Sequence, residues 1–131
     1  MARILVIDDN PSGRQLLAVV LRGAGHEVLL ARSGEEGIDI YREQRPDLVI
    51  LDVFMPGKDG IETIRDLRRE PGRAKIIATS AGWNIQNMDL SGNEAEWDVL
   101  RHAREAGADL TIPKPIDIDI LPDKVTELLN L

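Results

Sequence analysis

Five short apolar runs alternate along the chain with stretches whose apolar residues recur at helical spacing. The runs are Arg3 to Ile7, His26 to Ala31, Asp47 to Leu51, Ala74 to Thr79 and Asp109 to Ile112. They are rich in Ile, Leu and Val and mostly lack alternating polar residues, which is typical of strands covered on both faces. Alternating strands and helices predict a parallel sheet with right-handed crossovers.

The helices between these runs are marked by apolar stripes and by their first residues. The two clearest stripes are Leu17, Val20, Leu21 and Ala24, and Leu121, Val125, Leu128 and Leu129. Asn10-Pro11 predicts an N-cap followed by proline at the first helical position. Ser33 to Glu36 fits a capping box, and Asp59 to Glu62 is a looser variant of it. Because a helix tolerates proline only in its first turn, Pro122 predicts a last helix that begins near Ile120.

Length and composition limit the classes of protein to which the chain can belong. Its 131 residues fit one domain, which we expect over residues 1–131. No apolar run approaches the roughly 20 residues that span a bilayer, and the first residues lack the pattern of a signal peptide. The absence of cysteine excludes disulfides, thiolate metal sites and thiol nucleophiles. We therefore expect a cytoplasmic protein without membrane contact.

The charge balance argues against a nucleic-acid partner. The formal net charge is −7, and a surface of that sign repels phosphate backbones. With only two Trp, one Tyr and one Phe, the chain also offers few rings on which bases could stack. We expect no direct binding of nucleic acid.

Polar residues with related chemistry stand just after four of the apolar runs. In chain order they are Asp8 and Asp9, Asp52, Ser80 with Ala81, and Lys114. Ligands of an open parallel sheet bind outside the carboxyl ends of its strands. The sequence therefore predicts that carboxylates, a hydroxyl and an ammonium meet at one edge of the sheet.

These side chains together predict a divalent cation and a phosphoryl group as ligands. The three carboxylates would sum to about −3 and repel one another. Oxygen-only ligands favour a hard cation, so we expect Mg²⁺, or Mn²⁺ in its place. With the cation and Lys114 offsetting the charge, the site could accept a phosphoryl group while Asp52 attacks phosphorus in line.

Four segments spread over nearly the whole chain share a recognisable pattern. They are Ile7-Asp8-Asp9-Asn10, Leu51 to Gly60, Thr79-Ser80-Ala81 and Lys114-Pro115. In order and position they resemble the receiver domain of response regulators, the phosphoacceptor component of two-component signalling. Each segment alone occurs by chance, whereas the four together are specific.

The resemblance implies a role for each residue of the motif. A sensor histidine kinase or a phosphotransfer protein would phosphorylate Asp52. Asp9 and Asp52 would bind Mg²⁺ directly with the backbone carbonyl of Phe54, and Asp8 would act mainly through water. Ser80, followed by Ala81 in the motif, and Lys114 would contact the phosphoryl group, although the neighbouring Thr79 could supply the hydroxyl instead. The Lys114-Pro115 peptide is often cis in this family.

The resemblance also implies a fold and a way of working. The expected fold is a doubly wound α/β, flavodoxin-like three-layer sandwich with five parallel strands in the order 2-1-3-4-5. The protein would be a signalling switch and not an enzyme, although it would assist its own phosphorylation and dephosphorylation. A downstream protein would recognise the face formed by the fourth and fifth helices and strands.

Two departures from the family pattern affect the expected mechanism. Thr111 stands where the family usually has an aromatic residue that moves on activation, so the coupling of hydroxyl and ring is in doubt. The chain is also longer between Ser80 and Gly107 than short stand-alone members, with the excess in Gly82 to Gly92. Trp83 in that stretch is equally compatible with a contact surface and with packing of the loop.

Three alternatives share parts of this pattern. A Mg²⁺-dependent phosphatase of the haloacid dehalogenase type needs Asp-x-Asp after a strand, which neither Asp8-Asp9-Asn10 nor Asp52-Val53-Phe54 provides. A flavodoxin needs a phosphate-binding loop after the first strand, where two aspartates would repel phosphate. A degenerate receiver that works only by protein contact is the remaining alternative, because Thr111 departs from the pattern.

Overall fold

The structure is a parallel five-stranded sheet with helices on both faces. The computed structural model describes residues 2–53, 59–80 and 101–130, with Ser80 described in its backbone only. The strands are β1 (Arg3–Ile7), β2 (Glu27–Ala31), β3 (Leu48–Asp52), β4 (Lys75–Ser80) and β5 (Leu110–Pro113). They are parallel and lie in the order β2-β1-β3-β4-β5, which confirms the predicted order. Each strand bound lies within one residue of the predicted run.

Helices cover both faces of this sheet. They are α1 (Pro11–Gly23), α2 (Gly34–Gln44), α3 (Gly60–Arg69), α4 (residues 101–106) and α5 (Leu121–Leu129). One core holds buried residues of α2, α3 and α4 against the sheet, and the other holds those of α1 and α5. The expected three-layer sandwich is confirmed.

The apolar strands follow from this double coverage. Successive side chains of a strand point to opposite faces. In β1, Leu5 and Ile7 belong to the first core, while Ile4 and Val6 belong to the second. All five residues of β3 are buried in the same way. A central strand between two helical layers therefore has no solvent-facing position for a polar residue, until it reaches the edge of the sheet.

Side-chain caps fix where the helices begin. The Asn10 side chain accepts hydrogen bonds from the backbone N–H groups of Ser12 and Gly13 at 2.9 and 3.2 Å. Asp59 caps α3 by accepting from Glu62 N at 2.7 Å. The last helix begins at Leu121, with Ile120 as its N-cap, one residue from the predicted start. The caps Asn10 and Asp59 confirm two predicted helix starts, and the third, at α5, lies within one residue of the prediction without a side-chain cap.

The capping box of α2 is formed only in part. Ser33 Oγ accepts from Glu36 N at 3.1 Å, as the motif predicts. The Glu36 carboxylate, however, accepts from the backbone N–H of Arg32 at 3.0 Å, one residue before the expected partner. The Arg32 side chain also pairs with this carboxylate at 3.2 Å, which favours the shifted contact.

The end of β3 and the start of α3 approach each other closely at Gly60. Gly60 N donates to the carbonyl of Val53 at 2.9 Å. A Cβ atom at position 60 would lie 2.4 Å from Val53 Cα and 2.6 Å from the carbonyl oxygen of Asp52. Since these are backbone atoms, they cannot move aside cheaply. Position 60 therefore requires glycine.

We predict that Gly60→Ala lowers the free energy of unfolding by about 2 kcal/mol, the usual scale of overpacking. Gly23→Ala is the matched control, because a Cβ atom there meets nothing within 4 Å. In the control, alanine should leave stability unchanged or raise it slightly through its better helix propensity. Urea unfolding followed by circular dichroism measures both variants. Equal stability of the two variants would contradict the close approach.

Candidate functional site

Three carboxylates meet at the carboxyl ends of the two central strands. β1 pairs with β3 so that Ile7 lies opposite Leu51, and each strand leads to an aspartate at the same edge. Asp8, Asp9 and Asp52 each offer a ligand atom, and these atoms lie within 4.8 Å of one another. Asp8 and Asp52 are 2% and 3% exposed, whereas Asp9 is exposed. The structure thus brings the three predicted acids together and leaves one of them facing solvent.

Lys114 reaches the acids from the edge strand β5. It follows β5, which β4 separates from β3. Its Nζ lies 3.2 Å from Asp8 Oδ2 and 3.5 Å from Asp52 Oδ2. With the exposed Asp9 included, one ammonium against three carboxylates leaves a formal charge of about −2. The Lys114-Pro115 peptide is cis, as the sequence predicted.

Asp8 is held at its backbone and at both carboxylate oxygens. Its N–H donates to the carbonyl of Ala31 at 3.1 Å, and its own carbonyl accepts from the Arg14 guanidinium at 2.8 Å. Asp8 Oδ1 accepts from Asn10 N at 2.9 Å, and Oδ2 is the partner of Lys114. Asp8 therefore has little freedom to move.

Two residues of α1 that support Asp8 were missed by the sequence analysis. Arg14 carries the hydrogen bond to the Asp8 carbonyl, and nothing in the sequence pattern distinguishes it from a surface arginine. A Cβ atom at Gly13 would lie 3.0 Å from Asp8 Oδ2, so glycine leaves room for the carboxylate. A glycine inside a helical pattern was the signal that could have pointed to this position.

The hydroxyl of Thr79 is occupied by the backbone. Thr79 lies opposite Asp52 in the pairing of β3 with β4 and is 2% exposed. Its Oγ1 donates to the carbonyl of Leu51 at 3.2 Å. This contact favours Ser80 over Thr79 as the hydroxyl available to a ligand.

Several predicted residues fall outside the part of the chain that the structure describes. They are Phe54 with its carbonyl, Ala81, the stretch Gly82 to Gly92 with Trp83, and the side chain of Ser80. Thr111 is described: it lies in β5 opposite Ala78 and is half-buried. Its predicted effect on the switch stays a prediction.

The donor set of the acid cluster fits a magnesium ion. All three ligand atoms are carboxylate oxygens, the donors that hard divalent cations prefer. Asp9 is exposed and could bind the ion directly, while the carboxylate oxygens of Asp8 are already engaged. The site therefore has the chemistry for Mg²⁺, with Lys114 as an internal counter-charge.

Comparison with known families identifies the chain. A family profile described as response regulator receiver domain matches residues 4–126. The chain belongs to this family. Receiver domains are signalling switches of two-component systems that interact with histidine kinases or phosphotransfer proteins, and phosphorylation and Mg²⁺ binding are features of the family. This membership sets aside the flavodoxin and phosphatase alternatives.

Individual relatives of this receiver domain support the assignment. The chain is 33% identical to sporulation initiation phosphotransferase F of Bacillus subtilis, over 98% of this chain and 94% of that protein. It is 36% identical to the transcriptional regulatory protein AfsQ1 of Streptomyces coelicolor, but spans only 52% of that relative's length. A response regulator receiver domain protein from Clostridium thermocellum superposes with a TM-score of 0.84 at 27% identity, covering 99% of this chain and 95% of that one.

Within residues 2–53, 59–80 and 101–130, none of the helices has the length and apolar character needed to cross a bilayer.

We predict that Lys114→Met lowers the free energy of unfolding at pH 7 by about 2 kcal/mol. The variant removes the ammonium that lies against the nearly buried carboxylates of Asp8 and Asp52, and the figure is below that for a fully buried pair because the Lys114 side chain is 23% exposed. Adding Asp52→Asn to the variant should restore part of the loss. Urea unfolding measures all three proteins.

Lys124→Met is the matched control for this prediction. Lys124 pairs with Glu127 at 3.7 Å, with side chains 45% and 70% exposed, so its removal should change stability by less than about 0.5 kcal/mol. A Lys114→Met variant as stable as the control would show that the carboxylates do not need Lys114.

Proposed function

We propose that the receiver domain, over residues 1–131, accepts a phosphoryl group on Asp52 from a sensor histidine kinase or a phosphotransfer protein. Asp8, Asp9 and Asp52, together with the backbone carbonyl of Phe54, would hold the Mg²⁺ that the transfer requires. The observation that carries the proposal is the position of the Asp52 carboxylate. It is buried beside two further carboxylates and lies 3.5 Å from the Lys114 ammonium.

The residues of the site divide the work of the transfer. A carboxylate oxygen of Asp52 forms the new bond to phosphorus while the phosphorus–nitrogen bond of a phosphohistidine donor breaks. Lys114 and the hydroxyl of Ser80 would contact the phosphoryl oxygens. When bound, Mg²⁺ would offset charge on the carboxylates and polarise the phosphoryl oxygens. Asp9 would bind the ion directly, and Asp8 would act mainly through water.

The intact acids argue against the degenerate alternative. A receiver that works only by protein contact has no need for buried carboxylates, which oppose folding unless they are compensated. Here Asp8 and Asp52 are both retained at 2–3% exposure, and Lys114 compensates them. A water molecule would later hydrolyse the aspartyl phosphate, and the same residues would assist that loss.

Phosphorylation would be recognised at the face of the fourth and fifth helices and strands. The phosphoryl group adds up to about two negative charges beside Lys114, which follows β5 directly. Between β5 and α5 lies a cavity of about 150 Å³ lined mainly by apolar residues, among them Leu110, Ile112 and Ile120. An unidentified downstream protein or output domain would bind there. We also propose that the switch acts in the cytoplasm.

We predict that incubation with acetyl phosphate and Mg²⁺ adds one phosphoryl group to the intact protein. Asp52→Asn should abolish the gain, because the amide is not a nucleophile for phosphorus. Asp59→Asn is the matched control: Asp59 is the N-cap of α3, and asparagine caps helices equally well. Intact-mass spectrometry measures the gain. An unmodified wild-type protein would refute the proposal and favour the degenerate alternative, whereas a gain that persists in Asp52→Asn would refute Asp52 as the acceptor.

We predict that Asp9→Asn weakens metal binding at least about tenfold, because the exposed carboxylate is a direct ligand in the proposal. Mn²⁺ serves as the probe, and the electron paramagnetic resonance signal of the unbound ion gives the dissociation constant. The control is Asp39→Asn, which removes an exposed carboxylate of α2 that lies outside the acid cluster. Unchanged Mn²⁺ affinity in Asp9→Asn would exclude Asp9 as a ligand.

A further inference from the structure

One arginine of α3 joins four elements at the edge of the sheet opposite the phosphorylation site. The Arg68 guanidinium donates to the carbonyl of Ala74, just before β4, at 2.8 Å. It donates twice to the carbonyl of Gly107, just after α4, at 2.6 and 2.9 Å. It also forms an ion pair at 2.7 Å with Asp109, the residue before β5.

Asp109 connects Arg68 to β4 through hydrogen bonds. Its Oδ2 accepts both from Arg68 and from the backbone N–H of Ile76 at 2.8 Å. Its own N–H donates to the carbonyl of Ile76 at 2.8 Å. Side chain and backbone of Asp109 therefore hold the same residue of β4, and this contact sets where β5 begins along its neighbour.

The backbone of Gly107 leaves room for the aliphatic part of the Arg68 side chain. It adopts φ +130°, a conformation that other residues rarely take. A Cβ atom there would lie 2.7 Å from Arg68 Cγ. The absence of a side chain at Gly107 thus leaves room for Arg68, whose guanidinium bonds to Gly107 and Asp109.

The position of β5 matters because Lys114 lies at its other end. β5 is an edge strand of four residues, paired with β4 alone. Its hold on the sheet is short, and a slip of one residue would displace Lys114 by about 3.3 Å. The contacts of Lys114 with Asp8 and Asp52, at 3.2 and 3.5 Å, would not survive such a shift.

We propose that Arg68 is a positioning residue for Lys114: by fixing Asp109 and Gly107 at the start of β5, it sets the place of the ammonium at the end of that strand. The inference deepens the proposed function and rests on it for its effect on phosphoryl transfer. The geometric part, that Arg68 holds Lys114 against the acids, can be measured separately.

A double-mutant cycle tests whether Arg68 acts through Lys114. The rate of phosphorylation by acetyl phosphate and Mg²⁺ is measured in wild type, Arg68→Met, Lys114→Met and the double variant. We expect Arg68→Met to slow the reaction roughly tenfold, within the hundredfold that a misplacement of about 1 Å can cost. In the Lys114→Met background the same change should matter less than about twofold, because the group it positions is gone.

Arg42→Met is the matched control. Arg42 joins α2 to Glu70 through two contacts at 2.8 and 3.3 Å, and its hydrogen bond lowers the pKa of the Glu70 carboxyl. It is thus a comparable arginine–carboxylate pair, but neither Arg42 nor Glu70 takes part in the contacts of Arg68 with Gly107 and Asp109. Its loss should change the rate less than about twofold in either background.

A second measurement does not depend on phosphorylation. Acetic anhydride acylates lysine amines that it can reach, and the Lys114 amine, held between two carboxylates with its side chain 23% exposed, is poorly accessible to it. Peptide mass spectrometry should show Lys114 acylated several times faster in Arg68→Met than in wild type or Arg42→Met, with Lys124 as the internal reference. Asp109→Asn keeps the side-chain shape and should give a smaller rise in the same direction. This variant also serves if Arg68→Met fails to fold.

The outcomes separate this inference from the proposed function. If wild type gains no phosphoryl group, the proposed function fails, and Lys114 acylation still decides whether Arg68 positions the amine. If phosphorylation occurs but Arg68→Met slows it equally in both backgrounds, Arg68 contributes only general stability and the inference is overturned. Equal Lys114 acylation in Arg68→Met and Arg42→Met would overturn it as well.

Discussion

Repulsion between two nearly buried carboxylates is the constraint on which the rest of the structure depends. Asp8 and Asp52 lie at the ends of neighbouring central strands, where solvent can screen their charges only weakly. The fold tolerates them because β1 and β3 are apolar along their lengths and held between two helical layers. The Lys114 ammonium lies against both acids, at 3.2 and 3.5 Å, and offsets part of their charge. The stability of the two cores thus maintains a site that would otherwise push its own strands apart.

The sequence predicted most of what depends on neighbouring residues. The apolar runs located the strands to within one residue, because a strand covered on both faces leaves no polar position until its end. The same reasoning located the acids, since the first polar residue after a buried strand lies at the edge where ligands bind. The caps Asn10 and Asp59 were predictable because each bonds to residues within its own first turn.

Contacts between distant parts of the chain could not be predicted in this way. Arg68 lies about forty residues from Gly107 and Asp109, and nothing near it in the sequence marks it as an anchor. One local contact also differed from the prediction: the Glu36 carboxylate accepts from Arg32, four residues before it, because a nearby guanidinium competes with the capping box. The sequence kept the hydroxyl of Thr79 as an alternative to that of Ser80, and only the structure shows that Thr79, opposite Asp52, bonds to the backbone. In each case packing decides between partners that the local sequence leaves equivalent.

The distance along the chain between Asp8 and Lys114, 106 residues, has a consequence for how the protein matures. During synthesis Asp8, which follows the first strand, leaves the ribosome long before the lysine that pairs with it. A nascent chain can collapse around its early strands, yet it cannot assemble the charge-balanced site until the last strand has joined the sheet. The acid cluster and its ammonium are therefore brought together only after β5 has paired with β4.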